Sequence, residues 1–122
     1  MKDIFKDVVG VEGVHGVIVL SADGALLMTR FSPEFRDEES AVDQADWPHF
    51  LSELGDVAEA EFVFDQRRIY VRRSQIGFLV VVLDDIAPIS MVRLNCEILL
   101  PSLDKMKPGS SRIGQILKKR IF

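Results

Sequence analysis

Short apolar runs rich in β-branched residues alternate with turn-forming residues along the chain, which is typical of a domain built on a sheet. Residues 14–20 form the first run. Asp23-Gly24 follows as a tight turn, because glycine adopts positive φ at no steric cost, and residues 26–29 form the returning run. The pattern predicts a β-hairpin near the start of the chain.

Three later runs, at residues 62–64, 68–72 and 76–83, are separated by short polar turns and predict a three-stranded meander. In the middle run, Ile69 and Val71 alternate with charged residues and a tyrosine, so they face one side of the sheet. The last run is apolar throughout, which is typical of a central strand covered on both faces.

A helix is predicted after Asp46, whose side chain can accept hydrogen bonds from free amides at a helix start. Pro48 is tolerated in the first turn. Gly55 leaves two interpretations: the helix ends there through a left-handed cap, or it continues to about Ala60. The apolar positions at helical spacing are Trp47, Phe50, Leu51, Leu54 and Val57.

Two further helices are predicted, one at residues 4–9 and one after Asp84-Asp85, which we interpret as capping residues rather than as paired catalytic carboxylates. Pro88 suits the first turn of the later helix, and Pro101 predicts a kink or an early end near Leu100. Its apolar stripe comprises Ile89, Val92, Cys96, Leu99, Leu100, Leu103 and Met106.

Two segments lack a clear position in the fold. Residues 31–45 show little periodicity, so we expect a mobile loop. Residues 108–122 form a basic tail, with a short amphipathic helix predicted from residue 112 onward. Its pattern is compatible with docking on its own domain, on a partner or on an anionic surface, and we favour docking on protein.

The element order is therefore helix, strand, strand, helix, strand, strand, strand, helix. This order predicts an α/β (α+β) three-layer sandwich, in which a five-stranded, mainly antiparallel sheet carries helices on both faces. We assign residues 1–107 to this domain and residues 108–122 to the tail.

Composition fits one domain, since 122 residues of which 48% are apolar can bury a core without disulfides. The longest apolar run has eight residues, so no membrane span is expected, and charges near the start argue against a secretory signal. The single cysteine, Cys96, fits a reducing compartment, and we expect a cytoplasmic protein.

Charge is uneven: residues 1–65 carry −11 and residues 66–122 carry +7. Either the two halves attract each other, or a basic face meets an acidic partner. The overall pI of about 5.1 and the lack of an aromatic platform among the basic residues argue against nucleic-acid binding.

The inventory of chemical groups favours a protein that is not an enzyme. Two histidines and one cysteine form no recognisable zinc set, and no glycine-rich loop suited to phosphate is present. Cys96 lies on an apolar stripe, where a buried and inert thiol is expected. We therefore predict no cofactor and no metal.

Four local features carry a family resemblance that covers about residues 3–106. They are Gly13-Val14-His15-Gly16-Val17-Ile18-Val19-Leu20 followed by Asp23-Gly24, Arg68-Ile69-Tyr70-Val71, Gly77-Phe78-Leu79-Val80-Val81-Val82-Leu83, and Met91-Val92-Arg93-Leu94. In this order they resemble the Roadblock (dynein light chain) family, especially bacterial members that regulate a small Ras-like GTPase. The resemblance implies a Roadblock/profilin-like fold.

The resemblance also implies a homodimer in which the first meander strand, about residues 61–65, pairs with its twin and the middle helices lie side by side. Independently, an apolar edge strand is an aggregation hazard unless it is paired or covered, although its own helix is an alternative cover. Trp47-Pro48 departs from the family pattern by shortening the middle helix. The predicted dimer and partner residues are Trp47, Phe50, Glu53, Leu54, Phe62, Val63 and Phe64.

The leading hypothesis is a non-catalytic dimeric regulator that binds a small Ras-like GTPase and alters its nucleotide cycle by contact. The alternative is a structural adaptor dimer with no GTPase partner. A small-molecule sensor with a pocket between sheet and helix is a third, weaker interpretation.

Overall fold

The computed structural model describes residues 4–106, which form one five-stranded sheet with helices on both faces. The elements are α1 (Lys6–Val9), β1 (Val14–Ser21), β2 (Leu26–Phe31), α2 (Arg36–Ala41), α3 (Trp47–Leu54), β3 (Glu59–Val63), β4 (Arg68–Ser74), β5 (Gly77–Leu83) and α4 (Ile89–Asp104). Every strand pairing is antiparallel, and the strand order is β2-β1-β5-β4-β3. This confirms the predicted α+β architecture; the predicted tail at residues 108–122 lies outside the described residues.

The central strand is β5, as its continuous apolar sequence predicts, and all of its residues are buried. Side chains of a strand alternate between faces, so successive β5 residues supply two separate cores. Leu79, Val81 and Leu83 enter one core, and Phe78 and Val80 enter the other. The sheet is therefore covered by protein on both sides.

We name the two faces after the helices that cover them. On the α4 face, α1 and α4 bury the sheet with Val8, Val92, Cys96, Leu99 and Leu103. On the α3 face, Leu51 and Leu54 of α3 pack on the sheet together with Val42 from the preceding segment. Because α4 is 16 residues long and α3 only eight, the α4 face is covered more completely.

The start of α3 is as predicted, since the Asp46 carboxylate accepts a hydrogen bond from the His49 amide at 3.1 Å. The helix ends at Leu54, which agrees with the interpretation that ended it at Gly55. Gly55 has φ 65° and ψ −138°, so its positive φ ends the helix, but the residue is not in the left-handed helical conformation expected of the cap.

The predictions for α4 need two corrections. Pro88 precedes the helix instead of lying in its first turn, and Asp84 accepts hydrogen bonds from the Ile86 and Ala87 amides of the approach loop, not from the helix itself. The helix also continues through Pro101 to Asp104, so the predicted early end near residue 100 is wrong. Burial on the core side on both sides of this proline outweighs the lost backbone bond.

The predicted loop at residues 31–45 instead contains α2 between two 3-10 turns, Pro33–Phe35 and Val42–Gln44. It is held to the sheet at a few points: Phe35 stacks on His15 with ring centroids 3.7 Å apart, and the Thr29 hydroxyl donates to Glu39 at 2.7 Å. A six-residue helix anchored at isolated positions produces no extended periodicity, which is why the sequence pattern did not indicate it.

Candidate partner-binding surface

Strand β3 is an edge strand: it pairs with β4 on one side, and no other described residue pairs with its outer side. The Phe64 amide donates to the Arg67 carbonyl at 2.8 Å, and bonded positions alternate along an antiparallel pair. Glu59, Glu61 and Val63 therefore direct their backbone N–H and C=O groups outward. This row of unpaired groups can accept another strand.

An aromatic cluster connects α3 with this edge on the α3 face. Phe50 lies edge-on to Trp47, with centroids 5.7 Å apart, and contacts the Phe62 ring at 5.1 Å. The Trp47 indole N–H donates to the Val42 carbonyl at 3.0 Å, which fixes its orientation. All three rings are only partly buried, so they form an apolar surface next to the open strand edge.

The remaining predicted interface residues divide into core and surface. Leu54 is 7% exposed and belongs to the core on the α3 face, so its side chain is already covered within the chain. Val63 and Phe64 are 71% and 52% exposed. Glu53 is exposed on α3, with its carboxylate 3.8 Å from the exposed His49 ring one turn earlier.

The opposite side of the β3 edge, on the α4 face, is covered by charged groups. Glu59 lies 2.8 Å from Arg93 of α4 and 3.7 Å from Arg72, and it accepts a hydrogen bond from the Tyr70 hydroxyl at 2.5 Å. The hydrogen bond from Tyr70, followed by the two arginines, lowers the pKa of Glu59 below its ordinary value. Arg72 also pairs with Glu97 of α4.

Arg68 lies at the other end of the β3–β4 pair and connects this edge to the loop before α4. Its Nε and Nη2 donate to the Asp84 carbonyl at 3.1 and 2.9 Å, and Nη2 also donates to the Ala87 carbonyl. Its Nη1 lies 3.2 Å from the Glu61 carboxylate. The carboxylates of this edge strand are thus paired within the chain, which reduces the charge that would otherwise repel a second strand.

Two titratable groups away from this edge, Cys96 and His15, are buried and engaged in structural contacts. Cys96 is buried in the core, and burial raises the pKa of its thiol to about 12, so the reactive thiolate is scarce at neutral pH. The buried His15 ring lies 2.9 Å from Glu38, with Asp84 at 3.8 Å. Within residues 4–106 there is no group of three side chains that could hold a metal ion.

The sequence reasoning missed a second apolar stripe on α4 and placed Val57 wrongly. Met91, Leu94 and Ile98 are exposed on the helix side away from the core, although their spacing of three and four residues was visible in the sequence. Val57 was assigned to the apolar stripe of the middle helix, but it follows the end of α3 and is exposed. No helix in the described part of the chain is long and apolar enough to cross a membrane.

No protein-family model and no curated protein matches the chain. Solved structures do match. A Roadblock/LC7 domain from Streptomyces avermitilis has 18% identity and a TM-score of 0.60, and the match covers 84% of this chain and 93% of that one. MglC from Myxococcus xanthus has 21% identity and a TM-score of 0.61, covering 85% and 99%.

A third similar structure is MglB in a tetrameric arrangement, with 16% identity, a TM-score of 0.60, and coverage of 84% of this chain and 83% of that one. At these identities the likeness concerns the backbone fold. It confirms the resemblance that the sequence features indicated: the chain has the fold of the Roadblock/LC7 domain.

Proposed function

We propose that the chain is a non-catalytic, homodimeric regulator that binds a small Ras-like GTPase in the bacterial cytoplasm and alters its nucleotide cycle by contact. The observation that carries the proposal is the open edge of β3 beside the partly buried rings of Trp47, Phe50 and Phe62. The resemblance to bacterial Roadblock regulators and the fold shared with MglB and MglC support it.

The dimer forms by antiparallel pairing of β3 with the same strand of a second copy. If the two-fold axis passes beside Ala60, Glu59 lies opposite the Glu61 of the second copy. If it passes beside Glu61, the two copies of Glu61 lie opposite each other. Both arrangements place like charges together and are unfavourable. A pairing centred on Phe62 avoids this, because it places Glu61 opposite the partner's Val63. It also places the two Phe62 rings in a narrow, non-hydrogen-bonded pair on the α3 face, where aromatic pairs are favourable.

The GTPase is bound on the α3 side of this dimer. Exposed Glu53 and the accessible parts of Trp47 and Phe50 supply a charged group beside an apolar patch, which is a composition found at protein interfaces. The sequence contains no glycine-rich loop suited to phosphate, so in this proposal the nucleotide chemistry belongs to the GTPase. A change in hydrolysis or exchange then comes from contact with the mobile switch segments of the GTPase.

Two substitutions that place opposite charges at position 63 test the proposed pairing in the dimer. Because Val63 is exposed in the single chain, either substitution leaves the fold intact. Val63→Glu creates two symmetric glutamate pairs at about 0.5–1 kcal/mol each, so we expect the dimer Kd to rise roughly 5- to 30-fold. Val63→Lys, the matched control, leaves the Kd unchanged or lowers it. Sedimentation across concentration measures both against a dimer mass of about 27 kDa, twice the chain mass of 13.7 kDa.

A backbone test uses the outward amide of residue 61. Glu61→Pro removes this N–H without removing a hydrogen bond to β4, and Glu61→Ala removes the same carboxylate but keeps the amide. We expect the proline variant to be monomeric and the alanine variant to stay dimeric, with circular dichroism verifying that both are folded. A wild-type chain that stays monomeric at high micromolar concentration contradicts the dimer.

The partner surface is tested with Phe50→Ala combined with Glu53→Lys. The probe is the Ras-like GTPase encoded nearest to the gene, loaded with fluorescent GDP, and the measurements are binding and nucleotide release. We expect the double variant to lose binding, whereas Gln66→Lys in the β3–β4 turn retains it. Unchanged binding and dimerisation in the double variant would refute this surface. A wild-type dimer that binds no GTPase but binds assembly proteins would establish the adaptor alternative instead.

A further inference from the structure

Helix α4 presents a second apolar stripe to solvent, in addition to the stripe that enters the core. This outer stripe consists of Met91, Leu94 and Ile98, which are 47%, 54% and 64% exposed. They lie at helical spacing, so their side chains line one side of the helix over about two turns. A continuous apolar stripe on a helix surface is typical of a face that another helix covers.

A groove of about 630 Å³ between α1 and α4 continues this stripe at the N-terminal end of α4. Val11 and Met91 give it an apolar floor, and the acidic Asp7 and Glu12 outnumber the single basic residue, Lys6. Toward the N-terminal end of α4, the outer stripe thus leads into a groove with a negative edge. It fits a segment whose apolar residues are followed by basic ones.

The chain itself contains such a segment just beyond the described residues. Residues 107–122 carry five basic and no acidic side chains, in a chain whose overall formal charge is −4. The rest of the chain is therefore strongly acidic and attracts this segment. The apolar residues of the segment repeat at helical spacing and are Ile113, Ile116, Leu117 and Ile121.

The connection is long enough for the segment to return along α4. The helix ends at Asp104, six residues or about 9 Å beyond Ile98 along its axis. Residues 105–111 span up to roughly 24 Å when extended. Residues 113 and 121 would be about 12 Å apart in a helix, close to the roughly 10 Å between residues 91 and 98. An antiparallel arrangement therefore matches both lengths.

We propose that residues 112–122 dock along the outer stripe of the same chain, antiparallel to α4. Ile113 contacts Ile98, and the basic residues 118–120 reach the acidic edge of the groove formed by Asp7 and Glu12. Covalent attachment gives the segment a millimolar effective concentration at this surface, which favours it over a separate molecule with the same sequence. Docking buries the apolar side that an isolated helix of eleven residues would leave exposed.

The test uses a nitroxide label at Phe122→Cys in the full chain, a position to which the proposal gives no contact. The native thiol of Cys96 is buried, so the new cysteine is labelled selectively. We expect amide NMR signals of residues 6–12 and 89–95 to be broadened by the label, while signals of α3 on the other side of the sheet keep their intensity. Broadening of α3 instead of α4 overturns the proposal.

Variants separate docking from chance proximity. Ile116→Asp with Leu117→Asp places charge on the apolar side of the segment and should restore the α4 signals. Gln115→Asp adds charge on the opposite side and should leave the broadening in place. Equal behaviour of the two variants contradicts docking through the apolar positions.

Two other occupants remain as outcomes that overturn the proposal. Broadening in a mixture of labelled ¹⁴N chains and unlabelled ¹⁵N chains would assign the contact to a second copy. Unbroadened α4 signals in buffer, with binding to phosphatidylserine vesicles that the double aspartate variant loses, would assign the segment to an anionic membrane surface.

Discussion

Near β3, the two faces of the sheet are covered by different kinds of contact: ion pairs on the α4 face and aromatic side chains on the α3 face. On the α4 face, Arg93 and Glu97 of α4 extend over the edge and pair with Glu59 and Arg72. On the α3 face, the short helix α3 leaves the ring of Phe62 and its aromatic neighbours partly uncovered. We call the ion pairs on the α4 face the polar closure and the aromatic contacts on the α3 face the apolar closure. The polar closure leaves Val63 as the exposed apolar side chain of β3 on its face, whereas the apolar closure leaves a cluster of rings partly uncovered.

This difference indicates where a second protein gains most. Covering ionic groups that are already paired yields little net stabilisation, but covering exposed apolar area stabilises a complex by roughly 25 cal/mol per Å². The uncovered rings also lie beside the open edge of β3. A partner that pairs with the edge therefore covers the rings in the same contact.

The largest expected effect contrasts residues of the two faces. Leu79→Ala removes a fully buried side chain on the α4 face and should lower the free energy of unfolding by about 2–5 kcal/mol in urea titrations. Phe50→Ala, measured at a concentration where the chain is monomeric, should cost clearly less because its ring is already partly in water. Equal losses would show that the α3 face is as closed as the α4 face.

The second-largest expected loss of stability is for Gly16→Ala, which tests whether the α3 face is loosely packed along its whole length. A Cβ added at Gly16 would lie 2.3 Å from the ring of Phe31, so Gly16→Ala should destabilise by about 1–3 kcal/mol in urea. Gly10→Ala is the comparison, because Gly10 already has helical φ and an added Cβ would meet the Lys6 carbonyl at 3.1 Å, a tight but milder contact that should cost less. A neutral Gly16→Ala would mean that this face is loose far from β3 as well.

The sequence predicted the strands and α3 well because their signals are local. Alternation, the continuous apolar run of β5 and the Asp46 cap each depend on neighbouring residues. The strand was predicted at residues 62–64 and its paired segment at about residues 61–65, so the start of β3 was placed two to three residues late. Glu59 and Ala60 are weak strand formers and are held there by pairing with β4. Pairing between strands of this kind is not visible in the pattern of neighbouring residues.

The candidate partner-binding surface was predicted only in part, because some of its contacts join residues that are far apart in the sequence. Phe50 and Phe62 were grouped by the resemblance, and the structure places their rings in contact. The pairing of Glu59 with Arg93 joins residues 34 positions apart, which no spacing rule indicates. Leu54 was assigned to the interface although it is buried, because one helical pattern serves both the core and a partner.

A smaller loss of unfolding free energy is expected when the hydrogen bonds of Arg68 on the α4 face are weakened. Arg68→Lys replaces a planar fork that donates to the Asp84 and Ala87 carbonyls with a single ammonium group, so about 1–2 kcal/mol of unfolding free energy should be lost. Arg67→Lys, an exposed arginine paired with Glu38, should cost no more than about 0.5 kcal/mol. Similar losses would mean that the Arg68 fork adds nothing specific.

The smallest effect concerns the pKa of Glu59. Tyr70→Phe removes the hydrogen bond that most lowers this pKa, so NMR titration should show the pKa of Glu59 moving up toward its ordinary value of 4.5. A carboxyl with a depressed folded pKa stabilises the fold above its unfolded pKa, and this stability disappears as pH falls through the folded pKa. Urea titrations between pH 7 and 3 should therefore show a shallower acid loss for the variant. Arg93 lowers the pKa through its charge and through a hydrogen bond, each a smaller cause than the Tyr70 hydroxyl. Arg93→Gln removes the charge but keeps an N–H donor, so we expect it to raise the pKa less. The opposite order would mean that α4, and not the neighbouring strand, controls the polar closure of the edge.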